Sequence, residues 1–124
     1  MREPYKVLVV DDEDVNIDII CEILGLESDF SIKTVENGED ALKMMNTFKP
    51  DIVLLDVMLP GMDGYEVCRR IKETERYAAV KVLITSSYAM KSELEHGLAC
   101  GADDYLVKPF DDDDLLERVK KLLN

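Results

Sequence analysis

The feature that most constrains the fold is a regular alternation of apolar runs with segments of helical periodicity. Five short runs rich in apolar and β-branched residues are each followed by a stretch in which apolar residues recur every three or four positions. We therefore predict strands near 5–10, 31–35, 51–55, 80–85 and 105–107, and helices near 14–25, 38–47, 64–73, 90–99 and 112–123. A strand–helix unit repeated five times indicates an α/β fold, a parallel sheet with helices on both faces.

The composition of individual elements agrees with this arrangement. The runs YKVLVV, DIVLL and VKVLI are nearly continuous in apolar content, as expected for strands covered by helices on both faces. The last predicted helix, 112–123, carries its leucine and valine residues on one stripe and should pack on the sheet. We interpret its acidic lead-in, 111–114, as helix capping rather than metal binding.

Length and charge narrow the functional classes. The 124 residues correspond to one domain with one core, so we expect a single domain over 1–124. The net charge of −12 opposes attraction to nucleic acid and to anionic lipid. No apolar stretch approaches the ~18 residues of a membrane span, and no signal region precedes the first strand. We therefore expect a cytoplasmic protein that contacts neither nucleic acid nor membrane.

Polar residues follow the predicted strands where each strand ends. Asp11 and Asp12 follow the first strand and Asp56 the third, while hydroxyl residues 85–87 end the fourth and Lys108 follows the fifth. Ligands of open parallel sheets bind beyond the carboxyl ends of the strands, at the switch point between connections that leave in opposite directions. The sequence therefore predicts a site of acids, hydroxyls and one lysine at this edge.

The chemistry of this set indicates a metal and a phosphate. Neighbouring carboxylates raise each other's pKa unless a cation offsets their charge. Oxygen ligands favour Mg²⁺, with Mn²⁺ as the alternative, and Mg²⁺ in proteins commonly also binds a phosphate. Lys108 can hold a phosphoryl oxygen. Asp56 is the candidate nucleophile, and the adjacent Asp11 and Asp12 are better placed to share the metal.

Three segments, VLVVDDEDVN, DIVLLDVMLPGMDGYEVCRRIK and GADDYLVKPF, resemble the receiver domain of two-component response regulators. The resemblance extends from about Tyr5 to Leu123, and the spacings of 44 residues from Asp12 to Asp56 and 52 from Asp56 to Lys108 match the family. It implies a flavodoxin-like (βα)5 fold, a doubly wound five-stranded parallel sheet with strand order 2-1-3-4-5.

The resemblance also implies a function. Asp56 would accept a phosphoryl group from a phosphohistidine on a sensor histidine kinase or a histidine phosphotransfer protein. Asp11, Asp12, Asp56 and the backbone carbonyl of Met58 would bind Mg²⁺. Lys108 would pair with the phosphoryl group, and the peptide bond after it would be cis. Such a chain is a signalling module first, with intrinsic self-phosphorylation and slow autodephosphorylation.

The family's switch consists of a hydroxyl residue at the end of strand four and an aromatic residue on strand five. The spacing from Asp56 selects Ser86 as the hydroxyl, with Thr85 as the alternative, and Tyr105 matches the aromatic position. On phosphorylation Ser86 should turn toward the phosphate and Tyr105 should turn inward. The face formed by helix four, strand five and helix five would then change, and we expect a homodimer through this face on activation.

Two positions that vary in the family influence how fast water removes the phosphoryl group. Here they are Met58 and Tyr88. Neither side chain can orient an attacking water as an acid or an amide could, and both could obstruct it. We therefore expect a comparatively long-lived phosphoaspartate.

Other classes fit the sequence less well. A flavodoxin-like FMN-binding electron-transfer protein would need hydroxyls and glycine after the first strand, where DDEDVN places carboxylates that repel phosphate. An EF-hand loop starting at Asp12 lacks the required glycine and glutamate, because Ile17 and Ile23 occupy those positions. Segment 14–25 is better explained as a helix with Ile19 among its inward residues. We interpret His96 as a solvated surface residue.

Overall fold

The computed structural model describes residues 3–27 and 29–124. Within these ranges it contains five strands: β1 (Tyr5–Val10), β2 (Phe30–Val35), β3 (Ile52–Asp56), β4 (Lys81–Ser86) and β5 (Asp104–Val107). The α-helices alternate with them: α1 (Asp14–Leu24), α2 (Gly38–Thr47), α3 (Gly64–Glu73), α4 (Lys91–Ala99) and α5 (Asp112–Leu123). A short 3₁₀ helix, Glu75–Tyr77, follows α3. Each boundary lies within one residue of its prediction.

The sheet is parallel throughout and has the order β2-β1-β3-β4-β5. The predicted fold class and strand order are therefore confirmed. The chain reverses its direction of winding between β1 and β3, which places these two strands side by side at the centre of the sheet. Their register pairs Val10 with Leu55, so the residues that follow β1 and end β3 emerge together at the carboxyl edge.

Alternate residues of the central strands serve two hydrophobic cores, one on each face. Leu8 and Leu55 belong to the core beneath α2 and α3, whereas Val9 and Leu54 belong to the core beneath α1 and α5. All residues of β3 are buried, which explains the continuous apolar run in the sequence. Asp56 is the one residue of this strand whose burial is not explained by apolar packing.

Two predictions are wrong in detail: one about the buried face of α1 and one about the capping of α5. Ile19 is 44% exposed, because α1 turns its buried stripe toward Ile20, Ile23 and Leu24. Asp111 occupies the N-cap position of α5, but its side chain makes no capping hydrogen bond among the described residues. Since acids fill the first turn of α5, they can still complement the positive end of the helix dipole.

The turn after β3 holds α3 against the end of that strand. The N–H of Gly64 donates to the carbonyl of Val57 at 2.8 Å. A Cβ on Gly64 would lie 2.2 Å from the carbonyl oxygen of Asp56, so only glycine permits this close approach. Asp63 caps the helix, because its carboxylate accepts the N–H of Glu66 at 2.9 Å. The first turn of α3 is therefore fixed directly beside Asp56.

None of the helices in the described part of the chain combines the length and the apolar content that crossing a membrane requires. The three cysteines, Cys21, Cys68 and Cys100, are free.

Candidate functional site

Three carboxylates meet at the carboxyl edge of the sheet. Asp11 and Asp12 follow β1 and Asp56 ends β3, and one oxygen of each lies within 4.8 Å of the others. Asp11 is 1% exposed and Asp56 is 4% exposed, whereas Asp12 faces solvent. The parallel pairing of β1 with β3 produces this cluster, because the carboxyl ends of both strands lie at the same edge.

Lys108 reaches the same cluster from the end of β5. Its Nζ lies 2.8 Å from Oδ2 of Asp11 and 3.5 Å from Oδ1 of Asp56. Its backbone N–H donates to the carbonyl of Ser86 at 2.7 Å, and the Lys108–Pro109 peptide bond is cis, as the resemblance implies. The lysine therefore bridges two of the three acids, with the stronger contact to Asp11.

Burial controls the ionisation of Asp56. It raises the pKa of this carboxyl from 3.8 to about 6, because the site disfavours the charged form. Lys108 opposes the rise and the negative charge of Asp11 adds to it. A backbone hydrogen bond from Met58 also lowers the pKa. Asp56 is therefore an ionised but poorly stabilised carboxylate at neutral pH.

The donor set fits a hard divalent cation. Three carboxylates face one lysine, so the fully ionised cluster carries surplus negative charge in a partly buried position. An oxygen-only set without histidine or cysteine is the kind that Mg²⁺ and Mn²⁺ prefer over zinc. Asp11, Asp12 and Asp56 can thus hold a metal ion. The part assigned to the carbonyl of Met58 stays a prediction.

The candidate switch hydroxyl is oriented by the loop after β4. Ser86 is 1% exposed, and its Oγ accepts the backbone N–H of Tyr88 at 3.1 Å. Thr85 is equally buried and pairs in register with Asp56. The assignment of Ser86 rather than Thr85 as the switch hydroxyl therefore stays a prediction.

The second candidate switch residue, Tyr105, lies inward in this structure. This residue is 7% exposed, and its hydroxyl donates to the carbonyl of Tyr88 at 3.1 Å. The structure thus shows the arrangement that the resemblance assigns to the phosphorylated state. That phosphorylation drives Tyr105 into this arrangement stays a prediction.

The two residues assigned to phosphate lifetime lie beside the acids. Met58 is 58% exposed and Tyr88 is 38% exposed, and both line a cavity of about 560 Å³ that Asp12 also lines. Large apolar groups therefore border the approach to the cluster. The cavity also includes His96, and its other walls come from the β3–α3 turn, from the start of α3 and from α4.

Sequence reasoning missed a group of polar contacts between α3 and α4. His96, interpreted as merely solvated, stacks on the ring of Tyr65 with centroids 3.9 Å apart. The hydroxyl of Tyr65 donates to Oε2 of Glu93 at 2.6 Å. Residues 28 apart give no sequence signal of contact; the spacing of Glu93 and His96 shows only that they share one face of a helix.

The fold and the site together define a class: a doubly wound α/β domain with an acid–lysine cluster at its switch point. A model of the family described as response regulator receiver domain matches residues 7–120. The chain therefore belongs to the response regulator receiver domain family, and receiver domains of response regulators accept phosphoryl groups from kinases.

Curated relatives support the assignment. The response regulator PleD of Caulobacter vibrioides is 38% identical over 117 residues, which cover 94% of this chain and 26% of that protein. The alkaline phosphatase synthesis transcriptional regulatory protein PhoP of Bacillus subtilis is 39% identical over 118 residues, which cover 95% of this chain and 48% of that protein. The chain thus spans between about a quarter and about half of the length of these relatives.

Solved structures agree with the fold. The BeF3-activated DrrB receiver domain aligns with a TM-score of 0.86 at 38% identity and covers 97% of each chain. The chemotaxis response regulator CheY4 of Vibrio cholerae aligns with a TM-score of 0.89 at 27% identity, over 97% of this chain and 99% of that one. The flavodoxin alternative gains no support from these relatives.

The raised pKa of Asp56 predicts a pH-dependent effect on stability. Below about pH 4 the carboxyl is protonated in both the folded and the unfolded chain, and above about pH 6 the fold must hold it ionised where burial disfavours charge. Stability from this group is therefore lost as pH rises through 6. In metal-free buffer with a chelator, Asp56→Asn should be more stable than wild type by about 2–3 kcal/mol at pH 8, and the difference should vanish near pH 4.

Urea unfolding at pH 8, 6 and 4 measures this difference. Asp18→Asn, which alters an exposed aspartate within α1, is the matched control and should follow the wild type at each pH. An Asp56→Asn variant that is no more stable than wild type at pH 8 would contradict the assigned burial of charge.

Proposed function

We propose that Asp56 accepts a phosphoryl group, in a Mg²⁺-dependent reaction, from the phosphohistidine of a sensor histidine kinase or a histidine phosphotransfer protein. One observation carries the proposal. The carboxylate that ends the central strand lies within 4.8 Å of those of Asp11 and Asp12 and 3.5 Å from the ammonium of Lys108. This set combines a nucleophile, metal ligands and a cation for a phosphoryl oxygen.

The residues divide the chemistry among themselves. An ionised oxygen of Asp56 attacks phosphorus, and the bond from phosphorus to the imidazole nitrogen breaks with its electron pair remaining on nitrogen. Lys108 can move from Asp11 toward a phosphoryl oxygen, since its ammonium already lies between both acids. Mg²⁺ held by Asp11, Asp12, Asp56 and the Met58 carbonyl would offset the charge of the transferring group.

The response to phosphorylation is proposed to pass through Ser86 and Tyr105. The hydroxyl of Ser86 donates to the phosphoryl group, and the inward Tyr105 maintains the altered face of α4, β5 and α5. This face would support a homodimer on activation. The proposed face includes Arg118 of α5, which pairs with Asp104 of β5 at 3.0 Å, so re-pairing of these charges between two copies is one available change.

The domain unit, the cellular compartment and the absence of nucleic-acid contact are also part of the proposal. We treat 1–124 as one receiver unit that signals through its surface rather than through a separate catalytic turnover. Free cysteines suit a reducing compartment such as the cytoplasm. The net charge of −12 disfavours direct contact with nucleic acid.

Incubation with Mg²⁺ and acetyl phosphate tests the phosphoacceptor. We expect the wild type to gain the mass of one phosphoryl group in intact-mass spectra, and Asp56→Asn to gain none because the amide is not a nucleophile of this kind. The exposed-residue control Asp18→Asn should gain the same mass as wild type. Omission of Mg²⁺ should suppress the gain. A wild type that gains no mass, or an Asp56→Asn variant that gains as much, would reject the proposal.

The residues beside the acids predict the lifetime of the phosphorylated state. Met58→Asn combined with Tyr88→Glu should speed loss of the phosphoryl group by roughly tenfold, because an amide and an acid can orient water where the present side chains obstruct it. The decay of the phosphorylated mass after removal of acetyl phosphate measures the rate. The control Met90→Asn changes an exposed methionine that is not among the residues lining the cavity and should leave the decay unchanged. Equal decay rates of the double variant and the wild type would contradict the assignment of Met58 and Tyr88 to phosphate lifetime.

A further inference from the structure

Tyr65 occupies a position that connects the carboxylate cluster to α4. It is the second residue of α3, and its neighbour Gly64 packs directly against the backbone of Asp56. Tyr65 is 6% exposed. Since the close approach of Gly64 fixes the start of the helix, the backbone of Tyr65 cannot shift relative to Asp56 without disturbing the end of β3.

The hydroxyl of Tyr65 has well-defined partners. It donates to Oε2 of Glu93 at 2.6 Å, and the carbonyl oxygen of Glu93 lies 3.2 Å away. The oxygen of Tyr65 lies 3.5 Å from the hydroxyl of Tyr105, a long contact. Burial and the hydrogen bond to Glu93 raise the pKa of Tyr65 well above its usual range, so this hydroxyl stays protonated and donates to the Glu93 carboxylate.

Helix α4 depends on these contacts for its position. Gly97 is the single buried residue of α4, all of which lies in the described part of the chain. A Cβ on Gly97 would lie 2.9 Å from the ring of Tyr105, so the helix rests closely on that ring. The stack of His96 on Tyr65 adds a second contact. Leu94 adds a partly buried apolar contact with the core, so α4 is held by this side chain together with the rings of Tyr65 and Tyr105.

The contacts continue from Tyr105 to the candidate switch hydroxyl. The hydroxyl of Tyr105 donates to the carbonyl of Tyr88 at 3.1 Å. The backbone N–H of Tyr88 donates to Oγ of Ser86 at 3.1 Å. Tyr88 is thus held at both of its backbone polar groups. Tyr88 therefore links the hydroxyl of Tyr105 to the hydroxyl of Ser86.

We infer that Tyr65 is a positioning residue for phosphoryl transfer: its hydroxyl bond to Glu93 holds α4 on Tyr105 and so fixes the Tyr88 backbone and the Ser86 hydroxyl. The inference rests on the proposed function for its catalytic consequence. The contacts from Tyr65 to Ser86 do not depend on the proposed function, and amide exchange measured without a phosphodonor tests them.

The variant Tyr65→Phe keeps the ring and removes the hydroxyl. We expect it to lower the maximal rate of phosphorylation by acetyl phosphate about fivefold, the effect of one lost hydrogen bond of ordinary net strength. The Mg²⁺ concentration that gives half the maximal rate should stay unchanged, because none of the three carboxylates is altered. Exchange of the Tyr88 backbone amide, followed by NMR without phosphodonor, should accelerate by a similar factor.

Matched variants separate positioning from general loss of structure. Glu93→Ala should reproduce both effects, whereas Glu93→Gln keeps an acceptor oxygen and should restore most of the rate. Tyr77→Phe removes another tyrosine hydroxyl. Tyr77 lies in the 3₁₀ helix after α3 and is hydrogen-bonded to Asn46 of α2, so this variant should change neither the phosphorylation rate nor the exchange of the Tyr88 amide. Amide exchange in β3 should be unchanged in all four variants.

The outcomes distinguish this inference from the proposed function. Unchanged Tyr88 exchange in Tyr65→Phe and Glu93→Ala would overturn the positioning inference. So would equal losses of rate in Glu93→Gln and Glu93→Ala. A wild type that gains no phosphoryl group would overturn the proposed function, while the Tyr88 exchange would still decide whether Tyr65 controls the loop.

Discussion

The repulsion among Asp11, Asp12 and Asp56 is the constraint on which the site depends. Two of these carboxylates are almost fully buried, and a single lysine bridges them. The hydrophobic cores on the two faces of the sheet stabilise the central strands and so hold these charges together. A cluster maintained against its own repulsion has a use for a cation, which offsets the charge and leaves one carboxylate available as a nucleophile. The fold therefore holds the charges in a reactive arrangement.

The sequence predicts the fold and the central cluster because both depend on local patterns and topology. Strand and helix boundaries lie within one residue of their predicted positions, since each element has a distinct apolar period. The convergence of Asp11, Asp56 and Lys108 follows from the strand order once parallel pairing is inferred. These features need no knowledge of side-chain packing.

Other features depend on packing between elements distant in sequence, and the sequence does not predict them. The exposure of Ile19 reflects the rotation of α1 on the sheet, which a periodic pattern leaves uncertain by about one residue. The stack of His96 on Tyr65 and the bond from Tyr65 to Glu93 join two helices that have no shared motif. These contacts connect the acid cluster to the surface of α4. Polar contacts with little apolar burial suit a surface that changes between two arrangements.

The location of the phosphoryl group is the central claim, and chemical trapping measures it directly. Borohydride reduces an aspartyl phosphate to homoserine, which remains in the chain after digestion and can be placed by peptide mass spectrometry. The account predicts homoserine at position 56 alone, in the peptide that contains the end of β3 and the turn before Gly64. Homoserine at position 11 or 12 instead, or a phosphorylated protein that yields none, would contradict it.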